Sequence, residues 1–319
     1  MEETKRLAAI DIGTNSIRCL VVEATPTGDY RLLDDEKATV RLGEGMQASG
    51  RISKTAWERA RVALKRMREI ADGLGVVAIE AVATSAVRKA KNGAAFVAVM
   101  KEEAGVEVQV ISGEEEAELA ILSARHNFSM GSSHYALVDI GGGSAELVFA
   151  TGEAIQDVAS MELGAVFLSE TFLRHDPVTG KELKALRAHI RSCLQKAFSD
   201  RSFPPRQYLI GSGGTITSIG TMLMAQRKEG YDSVDRYEVL HSDVVHLLAM
   251  LERMPCRERR SLSGLSPERA DIIVAGVVLV EELMRFLGTN ILRINERGIR
   301  EGLILRGLDR HDLLAASAA

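Results

Sequence analysis

Leu137-Val138-Asp139-Ile140-Gly141-Gly142-Gly143-Ser144-Ala145-Glu146-Leu147-Val148 repeats, in altered form, Ala9-Ile10-Asp11-Ile12-Gly13-Thr14-Asn15-Ser16-Ile17-Arg18-Cys19-Leu20. The two stretches align without a gap at a constant offset of 128 residues. Each reads as a buried apolar strand, an Asp at its end, a tight turn of glycine and small polar residues, and a second strand. Glycine in such a turn allows positive φ and lets backbone N–H groups approach an anion with no Cβ in the way. The duplication therefore predicts two phosphate-gripping hairpins, one in each half of the chain.

Around this repeat the elements recur in one order. Strands are expected near 6–12, 16–24 and 30–41, a helix over 53–73, a strand at 76–83, a helix near 92–104, a strand at 106–111 and a helix at 113–126. The helix over 53–73 places Trp57, Val62, Leu64, Met67 and Ile70 on one apolar face. The second half gives strands near 134–140, 144–150 and 153–161, helices at 163–174 and 181–198, and a strand at 206–211. Helices near 215–225, 241–252 and 267–287, a strand at 289–294 and a last helix from 298 complete it. The order βββαβαβα, with helical insertions in the second copy, implies two α/β domains related by duplication, with a ligand cleft between them. The domains are expected at 1–126, joined by the C-terminal helix 299–319, and at 127–298. Low-complexity sequence is confined to Ala315–Ala319.

Composition limits the function classes. The 319 residues are 46% hydrophobic and 26% charged, as in ordinary globular chains. A net charge of −4 gives no global attraction for nucleic acid or an anionic membrane. The longest apolar run, Ile272 to Val280, falls far short of the roughly 20 residues that span a bilayer. Cys19, Cys193 and Cys256 are widely spaced and fit no CxxC pattern, which points to a reducing cytoplasm. No nucleic-acid or membrane partner is expected.

Several motifs bear on chemistry. Three consecutive glycines, Gly141 to Gly143, exceed what a structural hairpin needs, so this turn with Ser144 is read as a phosphate cradle. Gly13, Thr14, Asn15 and Ser16 gain the same reading from their register with it. Arg18 and Glu146 each follow the strand-end Asp by seven residues. Arg suits phosphate oxygens, and Glu suits Mg2+ or a water. A third turn, Gly211-Ser212-Gly213-Gly214-Thr215, leads from a strand into a helix. It reads either as a ligand-binding loop or as a plain βα connection capped by Thr215. No Walker lysine is present in any of the three. Ser112 with Glu115 forms a capping-box pattern, but Glu114, Glu115 and Glu116 together exceed what a cap requires, and one of them is a candidate general base. Arg88, in the cationic stretch after the strand at 76–83, is a candidate phosphate ligand, since open α/β sheets bind ligands beyond strand C-terminal ends. The His-Asp pairs at 175–176 and 311–312 are read as surface residues.

Together, Asp11 to Arg18, Ala83-Thr84-Ser85-Ala86-Val87-Arg88, Ile111-Ser112-Gly113 with Glu115-Glu116-Ala117, Asp139 to Ser144 with Glu146, and Gly211 to Thr215 resemble the signatures of the exopolyphosphatase/guanosine pentaphosphate phosphohydrolase (Ppx/GppA) family. Arg269 to Gly276 and Glu296 to Gly302 extend the resemblance over nearly the whole chain. It implies a short two-domain member with actin-like (ribonuclease H-like) domains that hydrolyses a terminal phosphoanhydride with Mg2+. It also implies that Glu116 is the general base and that Arg18 and Arg88 neutralise phosphate charge. Asp139 and Glu146, assisted by Asp11, would hold Mg2+ or its waters. The substrate implied is polyphosphate or pppGpp, and a homodimer is compatible with the pattern. Two departures, Glu118 and Phe167 where relatives commonly carry Arg, favour a short substrate over a long polymer. Rival readings are an actin-like ATP-dependent kinase and a non-enzymatic nucleotide-binding module.

Overall fold

The computed structural model describes residues 4–25, 29–199, 206–230 and 233–310. The chain forms two units, one of residues up to Ser123 together with those from Gly298 onward, the other Ala124–Arg297. In chain order the elements begin with β1 (Lys5–Ile12), β2 (Ser16–Ala24), β3 (Tyr30–Thr39), α1 (Met46–Ser49), α2 (Lys54–Gly73) and β4 (Ala78–Ala83). Next come α3 (Ser85–Lys89), α4 (Gly93–Ala104), β5 (Gln109–Val110) and α5 (Gly113–Asn127). Then follow β6 (His134–Ile140), β7 (Ala145–Thr151), β8 (Ala154–Met161), α6 (Ala165–Phe172), α7 (Gly180–Phe198), β9 (Tyr208–Ser212) and α8 (Gly214–Arg227). The last are β10 (Glu238–Leu240), α9 (His241–Leu251), α10 (Cys256–Arg259), α11 (Ile273–Leu287), β11 (Ile291–Ile294) and α12 (Gly298–Arg310).

The first unit's sheet runs β3-β2-β1-β4-β5; β2 pairs antiparallel with both β1 and β3, and β4 and β5 run parallel to β1. The second unit's sheet, taken from its own meander, runs β8-β7-β6-β9-β11 in the same arrangement, with β10 added antiparallel at the far edge. The duplication seen in the hairpins thus extends to the whole strand order. β1 is apolar and buried from Leu7 to Ile10 because both its faces are covered there. Ala8, Ile10 and Ile12 pack into the core with α2 and α4, while Leu7 and Ala9 pack with Leu303, Ile304 and Leu308 of α12.

Local sequence accounts for much of this. Ser53 caps α2 by accepting from the Ala56 amide at 3.2 Å. The buried stripe of α2 is Ala56, Ala60, Ala63, Leu64, Met67 and Ala71. Alanines therefore carry most of the face that larger side chains were expected to carry, and Val62 is exposed. Trp57 is partly buried, edge-on against Phe96 at 5.2 Å. α11 is buried nearly all round. Its buried Glu281 and Glu282 are paired by Arg187 and Arg191 of α7, with Arg285 adding a 2.5 Å contact to Glu281. Glu296 to Gly302, a stretch of the family resemblance, includes residues that dock α12. Arg300 pairs with Asp35, and Glu301 accepts from the Tyr30 and Ser123 hydroxyls.

Several elements depart from the sequence reading. Ser85 to Lys89, in the cationic stretch after 76–83 for which the sequence predicts no element, is a short helix. The helix expected over 267–287 is a 3-10 turn at Pro267–Arg269 and then α11. The strand expected at 106–111 pairs only over Gln109–Val110, and β10 and α10 were not foreseen. The expected C-terminal part of the last helix, with His311, Asp312 and Ala315–Ala319, lies outside the described residues. No described helix is long and apolar enough to cross a membrane.

Candidate active site

Strand register aligns the two Asp residues in equivalent rows. On the first sheet Lys37, Arg18 and Asp11 are direct cross-strand neighbours, and on the second Ser160, Glu146, Asp139 and Ser212 are. Residues directly opposite one another share a sheet face, so each row is a continuous line of side chains. The rows differ in charge: the Asp of one copy faces a cation, and that of the other faces a second carboxylate. Asp139 and Glu146 are 6% and 0% exposed, and each accepts a serine hydroxyl, Ser212 to Asp139 at 2.5 Å and Ser160 to Glu146 at 2.8 Å. Like-charged carboxylates so placed and buried suit a hard cation that takes oxygen ligands. Among the described residues no cluster of three or more His, Cys, Asp or Glu is arranged to hold a metal. Two carboxylates nevertheless fit Mg2+, which is commonly held by one or two carboxylates with waters and phosphate oxygens.

In the two glycine turns Gly13 and Gly141 serve space, not φ. None of Gly13, Gly141, Gly142 and Gly143 has positive φ, contrary to one of the two reasons their presence suggested. A Cβ on Gly13 would stand 3.0 Å from the Ser16 carbonyl, and one on Gly141 3.3 Å from that of Ser144. In the first turn Thr14, Asn15 and Ser16 are nearly buried, yet the amides of Thr14 and Asn15 have no acceptor among the described residues. Backbone N–H groups that no protein acceptor takes up are donors suited to an anion.

The three glutamates are separated by their surroundings. Glu114 is exposed. Glu115 completes the capping box, accepting from the Ser112 amide at 2.8 Å while its own amide donates to the Ser112 hydroxyl at 3.1 Å. Glu116 is 3% exposed and is bound by the Arg88 guanidinium, which also donates to the Ile111 carbonyl at 2.7 Å. Arg88 therefore has partners within its own unit, on a helix that starts directly beyond β4. The Thr84 amide donates to the Ile12 carbonyl at 3.2 Å, so the chain beyond β4 is tied to the end of β1. Asp11, Arg88 and Glu116 gather at the C-terminal ends of the parallel strands β1, β4 and β5, and Asp139 and Ser212 at those of β6 and β9.

In the third turn the structure assigns distinct tasks. Gly211 lies within β9, where a Cβ would collide with Ile216 and Leu292, so it is a packing residue. Gly213 has φ +93° and abuts the Ile140 carbonyl, which joins this turn to the second one. Gly213 also caps α8 without a side chain, so Thr215 is not the cap; it is buried against Gly276. A Cβ on Gly214 would stand 1.8 Å from Arg269, whose guanidinium lies over the start of α8. Sequence reading gave Arg269 no role, because 55 residues separate it from Gly214 and no spacing rule links them. Ser85 was likewise unassigned, and its hydroxyl oxygen is buried with no hydrogen-bond partner among the described residues. Phe167 packs against the second unit's core, and Glu118 is exposed. The His-Asp pair at 175–176 has structural partners: His175 contacts Glu182, and Asp176 accepts from the Cys256 amide at 2.7 Å and from Arg259.

A model of the Ppx/GppA phosphatase family matches residues 20–311. Exopolyphosphatase 2 of Mycobacterium tuberculosis is 32% identical over 314 residues, covering 94% of this chain and 98% of that protein. Exopolyphosphatase 1 of Mycobacterium leprae is 32% identical over 309 residues, covering 95% and 90%. Among solved structures, an exopolyphosphatase from Cytophaga hutchinsonii matches with TM-score 0.89 at 29% identity, over 96% of this chain and 98% of that one. The Aquifex aeolicus Ppx/GppA family member matches with TM-score 0.80 at 28% identity, over 97% and 99%. These neighbours share the actin-like two-domain α/β fold. With nearly its whole length matched by one family model and by exopolyphosphatases of two mycobacteria, the chain belongs to the Ppx/GppA phosphatase family.

Proposed function

We propose that this protein releases terminal orthophosphate from inorganic polyphosphate, converts pppGpp to ppGpp, or does both, in the cytoplasm and with Mg2+. The observation that carries the reading is the isolation of Glu116. It is the one buried member of the three successive glutamates, it sits where strand ends converge, and a guanidinium holds its carboxylate. In this role Glu116 takes a proton from the water that attacks the terminal phosphorus. The Thr14 to Ser16 amides cradle phosphate oxygens in the first unit, with Arg18 and Arg88 supplying positive charge, and Asp11 assists. In the second unit Gly141 to Ser144 form the equivalent cradle, and the turn from Gly211 to Gly214, through Ser212 and Gly213, supports it. Asp139 and Glu146 would hold Mg2+, which supplies charge neutralisation at the phosphate oxygens when bound. The names of the relatives favour polyphosphate, while Phe167 and Glu118 reduce the cationic surface that a long polymer would use. Free Cys19, Cys193 and Cys256 are consistent with a reducing compartment.

The test is orthophosphate release from polyphosphate and from pppGpp, side by side, with Mg2+ and with a chelator. Glu116→Gln is expected to lower kcat by at least about 100-fold, the scale of general-base catalysis, while substrate binding persists. Full activity in a folded Glu116→Gln protein removes the base assignment, and no release from either substrate by the unaltered protein removes the whole reading.

A further inference from the structure

The first phosphate turn is held from behind by the chain that leaves β3. The Val40 and Arg41 amides both donate to the Asn15 carbonyl, at 3.1 and 2.8 Å, and the Gly43 amide donates to the Thr14 carbonyl at 3.0 Å. A trans peptide sets its N–H opposite its C=O. With the carbonyls of Thr14 and Asn15 drawn toward residues 40–43, the amides of Asn15 and Ser16 must point the other way. Two features show that this arrangement is under constraint. Arg41 has φ +48°, a left-handed conformation that costs a non-glycine residue energy and persists only where surroundings enforce it. Gly43 is so close to the turn that a Cβ there would stand 2.3 Å from Thr14 Cγ2.

The segment is itself anchored. Arg59 of α2 donates to the Val40 carbonyl at 2.9 Å and to Glu44 at 2.9 Å, and Val40 and Leu42 are buried in the core. The second turn has a counterpart built differently. The Ala165, Val166 and Phe167 amides at the start of α6 donate to the Gly141 and Gly142 carbonyls, and a Cβ on Gly164 would stand 2.3 Å from the Gly142 and Gly143 backbone.

We infer that Val40 to Gly43 is a positioning brace: by fixing the Thr14 and Asn15 carbonyls it aims the opposite amides at a phosphate, and Gly43 sets the spacing. This inference rests on the proposed function for the identity of the anion. The experiment measures KM and kcat for polyphosphate, and calorimetric affinity for tripolyphosphate, in Gly43→Ala, Thr14→Ser and the double variant, with circular dichroism confirming the fold. Gly43→Ala is expected to raise KM about tenfold or more with a smaller change in kcat, because it pushes Thr14 and misaims the amides that bind phosphate. Thr14→Ser removes the methyl that the new Cβ would strike, so the double variant is expected to recover most of the lost affinity. A folded Gly43→Ala protein with wild-type KM and affinity overturns the inference, as does a double variant no better than Gly43→Ala. Should Gly43→Ala not fold, Arg59→Ala loosens the brace without touching the turn, and a folded Arg59→Ala protein with unaltered KM and affinity overturns it equally. If the unaltered protein shows no phosphatase activity, the proposed function fails. Tripolyphosphate binding then decides the brace alone: weaker binding by Gly43→Ala supports it, and equal binding or none by either protein overturns it.

Discussion

Arg88 and Glu116 form a mostly buried ion pair, with the arginine side chain 24% exposed and the glutamate 4%. Removing one partner of such a pair strands a charge away from water, which costs far more than the pair contributes. Arg88→Ala is therefore expected to destabilise the protein by about 3 kcal/mol, read as a lower urea midpoint. Adding Glu116→Gln to that variant should recover part of the loss, and a double variant as unstable as the sum of its singles would show that the two side chains do not couple. The sequence made Glu116 a candidate but not distinguishable from Glu114 and Glu115 on residue type. Helical rotation of about 100° per residue is what sends one to solvent, one to the cap and one to the interior. The glycines of the two hairpins were legible as a requirement, but the reason was only half legible. Sequence cannot separate the need for a left-handed backbone from the need for an absent Cβ, and at Gly13 and Gly141 the second operates.

At the scale of elements, α7 begins with a capping box in which Glu182 accepts from the Thr179 amide and hydroxyl, both at 2.9 Å, and also from His175 and Arg174. Burial pushes the Glu182 carboxyl up, but the hydrogen bonds from His175, the Thr179 and Arg174 amides and the Thr179 hydroxyl outweigh it and hold it well below the usual range. A carboxyl depressed in the folded state stabilises above its unfolded value, about 4.3, and that stabilisation is lost as pH falls through the folded value. The stability gap between the unaltered protein and Glu182→Gln should accordingly be largest near neutral pH and shrink below about pH 4, as urea titrations at several pH values would show. A gap that does not change with pH would assign the effect to packing. Such caps were readable because they depend on residues three positions apart. The helix at Ser85–Lys89 was not: at five residues it is too short to display a period, and its preceding strand makes an extended reading natural. The alanine stripe of α2 was missed for a related reason, since a hydrophobic pattern weighs large side chains and a helix packed on a sheet buries small ones.

For the molecule as a whole, each unit has its own core, and the first has one on each face of its sheet. One of those two is closed by Ile299, Leu303, Ile304 and Leu308 of α12, to which Arg300 and Glu301 add polar ties. Truncation after Arg297 should therefore uncover Leu7, Ala9 and Val22 and abolish the thermal transition of the first unit while the second unit's transition remains. Differential scanning calorimetry resolves this outcome, and retention of both transitions would mean that α12 is dispensable. The strand order repeated in the two sheets was anticipated from a twelve-residue repeat, because duplicated hairpins imply duplicated neighbours.

The same discontinuity orders events on the ribosome. All strands of the first sheet are made before Ser123, yet the helix that covers one face follows the entire second unit, about 175 residues later. Synthesis commonly lets the N-terminal domain finish first. Here the contiguous second unit is the one able to close on its own, while the nascent first sheet waits with an apolar face uncovered. During that interval the N-terminal strands are the part of the polypeptide with most need of a chaperone, and slowing translation between the two segments should increase its aggregation.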